Sequence, residues 1–470
     1  MNEAARVSVA LARARAAQPS WGATSVPERL AVIRRFRRAV ARDPWPLVHT
    51  IPPPRDPAET LAAEILPLAD AARFLERTAA RLLAPRRPIG VRPIWLWGVR
   101  AQVRREPIGV VLILGPSNYP LMLPGVQALQ ALAAGNAVCI KPAPGCAGAA
   151  TVLTLVLEEA GLPQGVLTVL DDTPDAGAAA VAGGPDLIVL TGSAKTGARV
   201  LAAAAQRLIP ATMELSGCDA VFVLEGADLS LVADCIAYGL RLNGGATCIA
   251  PRRIFVQQAQ AAALQAAILV RLQDDPGATV PLHMAVLLAD VLLEAEANGA
   301  RVLGRRDGTA IGPLLVAGAT ARMRVAQEDL FAPVAALIVV NGIEAALAEA
   351  IACPYALGAS VFGPPMTAFA VAAQVRAGSV VVNDIIVPTA DPRLPFGGRG
   401  ASGFGVTRGA EGLLGMTSIK VVSVRHGRFR PHLHPPHATD AERIAALLTL
   451  THAGQSPGWN TLQALIGGLR

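Results

Sequence analysis

Lysine is nearly absent from this 470-residue chain, aromatic residues are scarce, and the cysteines form no paired motif. Only three of the 42 basic residues are lysines, and aromatic residues make up 4%. No block of lysine and arginine is interleaved with aromatic residues, so we expect no nucleic-acid partner despite a formal charge of +7. The six cysteines contain no CxxC pair, and a chain of this size needs no disulfide bonds. We therefore expect a reduced, cytoplasmic setting.

Long hydrophobic runs that could cross a membrane are also missing. Residues 107–140 carry no charge, but "GPSNYP", Gly125 and two glutamines interrupt the run, so we predict buried strands and a helix rather than a membrane span. The N-terminal segment lacks the apolar core of a signal sequence, and we expect an ordinary amphipathic helix there. What remains is a chain that is 52% apolar and 16% charged, long enough for roughly two or three domains.

Apolar strand-like runs alternate with helical segments through most of the chain. One series runs from about residue 108 to residue 193, and a second runs from about residue 219 to residue 384. Repeated βαβ units with short connections predict two α/β domains built on parallel sheets.

The last part of the chain, beyond residue 427, has a different composition. A His/Pro-rich linker leads into a helix that we predict to begin with a capping box from Thr439 to Glu442. Histidines in flexible Pro-rich tracts usually bind nothing, so no metal site is predicted at His432, His434 or His437.

Four short stretches carry groups suited to catalysis or binding. In "NGGATCIAPRRIFV", two glycines allow a bend that presents Cys248, although a small apolar residue in a buried turn is the simpler interpretation of this stretch alone. "ATMELSGC" places Glu214 among apolar residues, where a carboxylate needs a partner or acts as a base. Asn118 in "GPSNYP" follows a strand, and its amide is suited to an oxyanion. The glycines around Ser193 in "LTGSAKTG" suit a phosphate at a helix start.

Taken together and in order, these stretches and five others resemble the NAD(P)-dependent aldehyde dehydrogenase superfamily from about residue 10 to residue 427. The nine stretches are "GPSNYP", "AAGNAVCIKPAP", "GLPQGVLTVL", "LTGSAKTG", "MELSGCDAVFV", "NGGATCIAPRRIFV", "EDLFAPV", "YALGASVF" and "LPFGGRGASGFG". All three lysines, Lys141, Lys195 and Lys420, fall in family-like motifs. Each motif is modest alone, but nine in order are highly specific, and they favour a presented Cys248 over core packing.

The resemblance implies an α/β, aldehyde dehydrogenase-like fold with a Rossmann-type cofactor domain, a second α/β catalytic domain and a small oligomerisation β-extension. Residues 1–215 would form the cofactor-binding domain, with oligomerisation strands at about 93–107. Residues 216–395 would form the catalytic domain, and 396–427 would return to the cofactor domain and add an oligomerisation strand. Residues 428–470 would form the linker and helical tail. A homodimer or a dimer of dimers is implied.

The resemblance also implies a reaction. Cys248 would attack the aldehyde carbon, Asn118 would hold the oxyanion, and Glu214 would activate the water that hydrolyses the thioester to a carboxylic acid. The cofactor would be NAD or NADP, because Pro144 stands where many NAD-preferring members carry a glutamate that repels a 2′-phosphate. The residues implied to bind this cofactor are Lys141, Gly192, Ser193, Gly197, Asp329 and Phe331.

The substrate is expected to be a hydrophobic aliphatic or aromatic aldehyde. "NYP", "TCIAP" and "LPFGG" resemble the fatty/aromatic aldehyde branch, in which Tyr119, Met122 and Phe396 would line an apolar tunnel; ordinary core packing explains them equally well. Asp329, one methylene shorter than the usual glutamate, departs from the family pattern.

Three other functions stay open. A CoA-acylating aldehyde dehydrogenase needs no water-activating base, so Glu214 argues against it. A cysteine hydrolase needs a histidine partner, and neither His49 nor His283 lies in a recognisable motif. A catalytically inactive relative would not need Cys248, Glu214 and Asn118 together.

Overall fold

Most strand-like runs of the sequence form two large sheets in the computed structural model, which describes residues 2–52, 55–428 and 430–454, and the remaining strands form three small sheets. The strands in chain order are β1 (Val99–Pro107), β2 (Val110–Leu114), β3 (Ala137–Lys141), β4 (Leu167–Val169), β5 (Leu187–Gly192), β6 (Ala211–Leu215), β7 (Asp219–Val223), β8 (Pro251–Gln257), β9 (Ala278–Thr279), β10 (Arg301–Leu303), β11 (Arg306–Asp307), β12 (Ala310–Ile311), β13 (Leu314–Ala319), β14 (Val334–Val340), β15 (Tyr355–Ala356), β16 (Gly358–Phe362), β17 (Ser379–Val382), β18 (Arg399–Gly400), β19 (Gly403–Phe404) and β20 (Thr417–Arg425).

Helices connect these strands. They are α1 (Glu3–Ala23), α2 (Val26–Arg42), α3 (Trp45–Val48), α4 (Pro57–Thr60), α5 (Leu66–Leu83), α6 (Met122–Ala134), α7 (Ala147–Glu159), α8 (Pro174–Ala182), α9 (Ala194–Ala205), α10 (Leu229–Arg241), α11 (Gln258–Leu272), α12 (Leu282–Ala297), α13 (Ile343–Ala350), α14 (Pro365–Ala372), α15 (Gly409–Gly415) and α16 (Asp440–His452). A π-helical turn, Leu61–Ile65, joins α4 to α5.

The first sheet has six strands in the order β19-β6-β5-β2-β3-β4, and the second has seven in the order β10-β13-β14-β8-β7-β16-β17. Within these two sheets, the edge strands β19 and β10 run antiparallel to their neighbours, and all other pairs are parallel. Every residue of β2, β7 and β16 is buried, which explains why these strands read as continuous apolar runs. The predicted α/β class and parallel pairing are therefore confirmed.

The chain divides into two compact units. Both large sheets lie in the unit made of Met1–Arg86 and Val103–Lys420. Carboxyl ends of parallel strands meet at one edge of a sheet, where ligands bind in open α/β folds. Asn118 follows β2, Lys141 ends β3 and Gly192 ends β5, so the first sheet brings three predicted site residues to that edge.

The second unit consists of Arg87–Gln102 and Val421–Arg470. Several large apolar side chains in its first segment are exposed, including Ile89, Val91 and Trp97. Its helix α16 begins after Thr439, whose side chain makes no capping hydrogen bond, so the predicted capping box is wrong. Asp440 instead accepts a hydrogen bond at 2.8 Å from the backbone N–H of His437.

The predicted oligomerisation strands at about 93–107 correspond to the 3₁₀ turn Ile94–Leu96 and the strand β1. β1 pairs with β20 in a separate two-stranded sheet. No helix among the described residues is long and apolar enough to cross a bilayer. The domain boundaries proposed from the sequence, and the part of the tail at residues 455–470 that lies outside the described residues, stay predictions.

Candidate active site

Cys248 stands at the end of a turn that only special backbone conformations allow. After α10 the chain passes through Asn243, Gly244 and Gly245 with φ angles of 52°, 58° and 76°. A Cβ atom on Gly245 would lie 2.6 Å from the Ala332 carbonyl carbon, so no larger residue fits there. The turn leaves Cys248 half-buried just before β8. Both glycines predicted to present the sulfur are therefore required by the geometry.

The surroundings of Cys248 keep its thiol protonated at rest. Its side chain packs against an apolar cluster of Ile249, Leu357 and Phe396. Burial, and then the negative charges of Glu214, Asp219 and Asp329, raise the pKa of Cys248, whereas Arg408 lowers it. A base near the thiol is therefore needed before the sulfur can act as a nucleophile.

Glu214 supplies a carboxylate on β6 and is almost completely buried, with 3% exposure. The Thr407 hydroxyl donates to Oε2 at 2.8 Å, whereas Oε1 is buried and has no hydrogen-bond partner among the described residues. Burial raises the pKa of Glu214 against the opposing effects of Arg408 and Thr407. A buried carboxylate with one unused oxygen and a raised pKa has the properties of a general base.

Asn118 is tied to the turn that carries the cysteine. Its amide nitrogen donates to the carbonyl of Ala246 at 3.0 Å, and its amide oxygen accepts from the N–H of Tyr119 at 3.0 Å. The Asn118 carbonyl accepts from the side chain of Asn243 at 2.9 Å. An amide nitrogen has two hydrogens, so one is left to donate to an oxyanion near Cys248.

One cavity of about 1090 Å³ is lined by the predicted catalytic residues and by most of the predicted cofactor residues. The predicted residues in its lining are Asn118, Lys141, Gly192, Ser193, Glu214, Cys248, Asp329 and Phe331. The structure thus gathers side chains that are more than 200 residues apart in the chain.

The cavity's polar groups fit a dinucleotide. Ser193 caps the N-terminus of α9 by accepting from the N–H of Thr196 at 3.2 Å, and a helix start of this kind favours a phosphate. Asp329 Oδ1 is buried without a partner among the described residues, and ribose hydroxyls are donors suited to it. Burial raises the pKa of Asp329 to about 6, against the effects of Arg252 and Ser216. Lys141 is half-buried in the same lining.

The profile of the aldehyde dehydrogenase family matches residues 1–422. The chain belongs to the aldehyde dehydrogenase family. It is 32% identical to a putative NADP(+) succinate-semialdehyde dehydrogenase of Mycolicibacterium smegmatis, over 89% of this chain and 84% of that protein. It is 30% identical to the 4,4'-diapolycopene aldehyde oxidase of a Methylomonas species, over 88% of this chain and 81% of that protein.

Solved structures agree with this assignment. An aldehyde dehydrogenase of Mycobacterium tuberculosis complexed with NAD+ is similar at a TM-score of 0.85 and 28% identity, covering 92% of each chain. The family and the fold expected from the nine motifs are therefore confirmed, and the chain is an aldehyde-oxidising oxidoreductase.

The dehydrogenase site depends on a buried ion pair that the sequence analysis missed. Glu64 lies in the π-helical turn, is fully buried, and accepts from the N–H groups of Leu121 and Met122 at 2.9 and 2.7 Å. Arg55 pairs with Glu64 and also donates to the Asn118 carbonyl. The pair therefore holds the loop that carries Asn118. The same signal that pointed to Glu214, one carboxylate among apolar residues, is present at Glu64.

Arg252 is a second residue of the dehydrogenase site that was not predicted from the sequence. It is 2% exposed, and its guanidinium donates to the carbonyls of Gly245 and Ala332. It thereby links the cysteine turn to the segment that carries Asp329 and Phe331. It lies in the stretch "NGGATCIAPRRIFV", but nothing in that stretch distinguishes it from the adjacent Arg253.

Four predicted residues lie outside the lining of the cavity. Gly197 packs its backbone against Leu215, where an added Cβ would lie 2.8 Å from a leucine methyl group. Tyr119 is buried and its hydroxyl lies 2.7 Å from that of Thr247, and Met122 is partly buried at the start of α6. Phe396 is 2% exposed in the cluster that contacts Cys248. The apolar tunnel stays a prediction.

Proposed function

We propose that this family member oxidises a hydrophobic aliphatic or aromatic aldehyde to the carboxylic acid, with NAD or NADP as cofactor, in the cytoplasm. The observation that carries the proposal is the single cavity that Cys248, Glu214 and Asn118 share with the dinucleotide-suited residues Ser193 and Asp329.

The first half of the proposed reaction uses Cys248. Its sulfur attacks the aldehyde carbon, its proton passes to Glu214, and the carbonyl oxygen becomes an oxyanion. The free hydrogen of the Asn118 amide and the backbone N–H of Cys248 donate to that oxygen. The bound dinucleotide supplies the hydride acceptor that converts the resulting hemithioacetal into a thioester.

The second half uses Glu214. Glu214 first releases the proton that it took from Cys248 to solvent. Its unpartnered Oε1 then accepts a proton from water as the water oxygen bonds to the thioester carbon, and it returns this proton to the departing Cys248 sulfur. The carbon–sulfur bond then breaks, the acid leaves, and the Cys248 sulfur is free again. A CoA-acylating enzyme would not need this base, so its presence in the cavity favours hydrolysis.

Cofactor binding is assigned to Lys141 with the start of α9, and to Asp329 with Phe331. Pro144 lines the cavity near Lys141 and carries no charge to repel a 2′-phosphate, so either NAD or NADP can bind. One relative is named as NADP(+)-dependent, and one similar structure contains NAD+.

Two further features belong to the proposal. Cys248 packs against an apolar cluster, which suits a hydrophobic aldehyde better than a charged one. The exposed Ile89, Val91 and Trp97 beside the β1–β20 sheet support burial against a second subunit in a homodimer or dimer of dimers.

The test is the rate of nicotinamide reduction across straight-chain and aromatic aldehydes, with NAD or NADP, with and without CoA. Turnover without CoA that rises with chain length and disappears in Cys248→Ala supports the proposal. Turnover that requires CoA would replace hydrolysis with acyl transfer. Preference for a carboxylate-bearing semialdehyde would refute the hydrophobic substrate.

A further inference from the structure

Arg408 lies next to the catalytic residues in a backbone conformation that arginine rarely adopts. It directly precedes α15, with φ 59° and ψ 176°, a region populated almost only by glycine. Its exposure is 7%. Backbone strain of this kind is unfavourable and is typical of functional sites, so this arginine needs a functional explanation.

The fold holds Arg408 in place from three directions. Its backbone N–H donates to the side chain of Gln130 at 3.3 Å, and one guanidinium nitrogen donates to the Thr389 carbonyl at 2.6 Å. The guanidinium lies over the Phe396 ring, 4.3 Å from its centroid. The orientation of the side chain is therefore determined by its surroundings.

Arg408 shares neighbours with the nucleophile and the base, and its charge acts on both. Phe396 belongs to the cluster against which Cys248 packs, and the neighbouring Thr407 donates to Glu214. Arg408 Nε is a buried donor and Glu214 Oε1 a buried acceptor, and neither has a partner among the described residues. Two complementary buried groups without partners require a water molecule or a reacting group.

We propose that Arg408 is a positioning residue for thioester hydrolysis, which, with the unpartnered carboxylate oxygen of Glu214, fixes the attacking water beside Cys248. This inference rests on the proposed hydrolytic function. Arg408 does not bond to the substrate; it orients the water whose proton Glu214 accepts.

The charges around the site support this role. Arg408 lowers the pKa of Glu214 and of Cys248, both of which burial raises. Cys248 also faces Asp219 and Asp329, whose charges Arg252 offsets, whereas Arg408 is the cation that acts on Glu214. Removing that cation would raise the pKa of Glu214 further, and the base would be protonated up to a higher pH.

The test compares Arg408→Met and Arg408→Lys with the wild-type enzyme. The burst of reduced nicotinamide measures acyl-enzyme formation, and intact mass spectrometry of the Cys248 adduct measures its decay. Arg408→Met should slow the decay by about 10- to 100-fold, the effect of losing one charged hydrogen bond, and should shift the acidic limb of the hydrolysis pH profile upward. Arg408→Lys should keep the limb near its wild-type position, because the cation remains, yet stay slower because the Nε donor is lost.

Arg29→Met is the matched control, because Arg29 is also buried, has two guanidinium nitrogens without partners among the described residues, and lines a different cavity. It should leave the adduct decay and the pH limb unchanged. The inference would be overturned if the Cys248 adduct of Arg408→Met decayed at the wild-type rate and the acidic limb of its hydrolysis pH profile were unshifted. If that variant does not fold, wild-type decay in Arg408→Lys would overturn it equally. Absence of CoA-independent turnover in the wild-type enzyme would refute the proposed function instead.

Discussion

The buried Glu64–Arg55 pair provides the most demanding test of how this fold holds its site. Glu64→Gln keeps the side chain's size but removes the charge that compensates Arg55, whose side chain is only 7% exposed. Arg55 would keep only a long contact of its Nε with Glu59, at 4.0 Å, and losing the partner of a buried charge costs about 3–5 kcal/mol. With an unfolding entropy of about 2 cal/mol/K per residue, 470 residues give about 1 kcal/mol/K. The thermal midpoint should therefore fall by about 3–5 °C.

The catalytic rate should also fall, because Glu64 orients the backbone that follows Asn118. We expect a smaller burst of reduced nicotinamide at saturating cofactor. The control is Glu296→Gln, which removes the same charge from an exposed pair with Arg306, in which both side chains are more than a third exposed. Exposed pairs contribute about 0–1 kcal/mol, so this variant should melt within about one degree of the wild type and keep its burst. Equal midpoints for the two variants in a calorimetric scan would refute the reasoning.

Three further predictions concern the catalytic residues and the cofactor. Asn118→Ala should lower kcat by about 100- to 1000-fold through loss of one oxyanion donor, and kcat near the wild-type value in steady-state assays would contradict that role. Asp329→Asn should raise the KM for the dinucleotide more than the KM for the aldehyde, and equal changes in both would count against a ribose contact. Because burial raises the pKa of Cys248, its alkylation by iodoacetamide should still accelerate above about pH 8.5. Glu214→Gln removes a negative charge that faces Cys248, so it should shift the pH profile of alkylation to lower pH. An unchanged profile would show that the Glu214 carboxylate does not act on the Cys248 thiol.

Periodicity and motif order were sufficient to predict much of the fold. The run Val110–Leu114 was readable as a strand because it is apolar throughout and buried on both faces. The turn before Cys248 was readable because Gly244 and Gly245 adopt backbone angles that favour glycine. The local sequence pattern failed to predict the start of α16. The Ser/Thr-x-x-Glu pattern is present at Thr439, but its side chain makes no capping hydrogen bond.

The rest of the site could not be read from the chain, because it depends on contacts between distant residues. Glu64 reaches Leu121 across 57 residues, and Thr407 reaches Glu214 across 193. A hydrogen bond of that separation follows from the packing of whole elements, which no short motif encodes. Arg408 is the extreme example, because neither its positive φ nor its contact with Phe396 has any local signal.

The abundance of arginine that stood out in the composition has a structural use here. Arg55 donates to the Asn118 carbonyl, Arg252 to those of Gly245 and Ala332, and Arg408 to that of Thr389. Each is buried and joins loops that are distant in sequence, which requires a group with several donors in a fixed plane. A lysine offers three donors on a single freely rotating nitrogen and deprotonates readily when buried, so it could not hold two carbonyls in separate directions and stay charged. Lys420, one of two exposed lysines among the described residues, forms a surface pair with Glu106. Arginine, the basic residue that the sequence supplies in excess, therefore joins the loops around Cys248 and Asn118 and acts on the charge of Glu214.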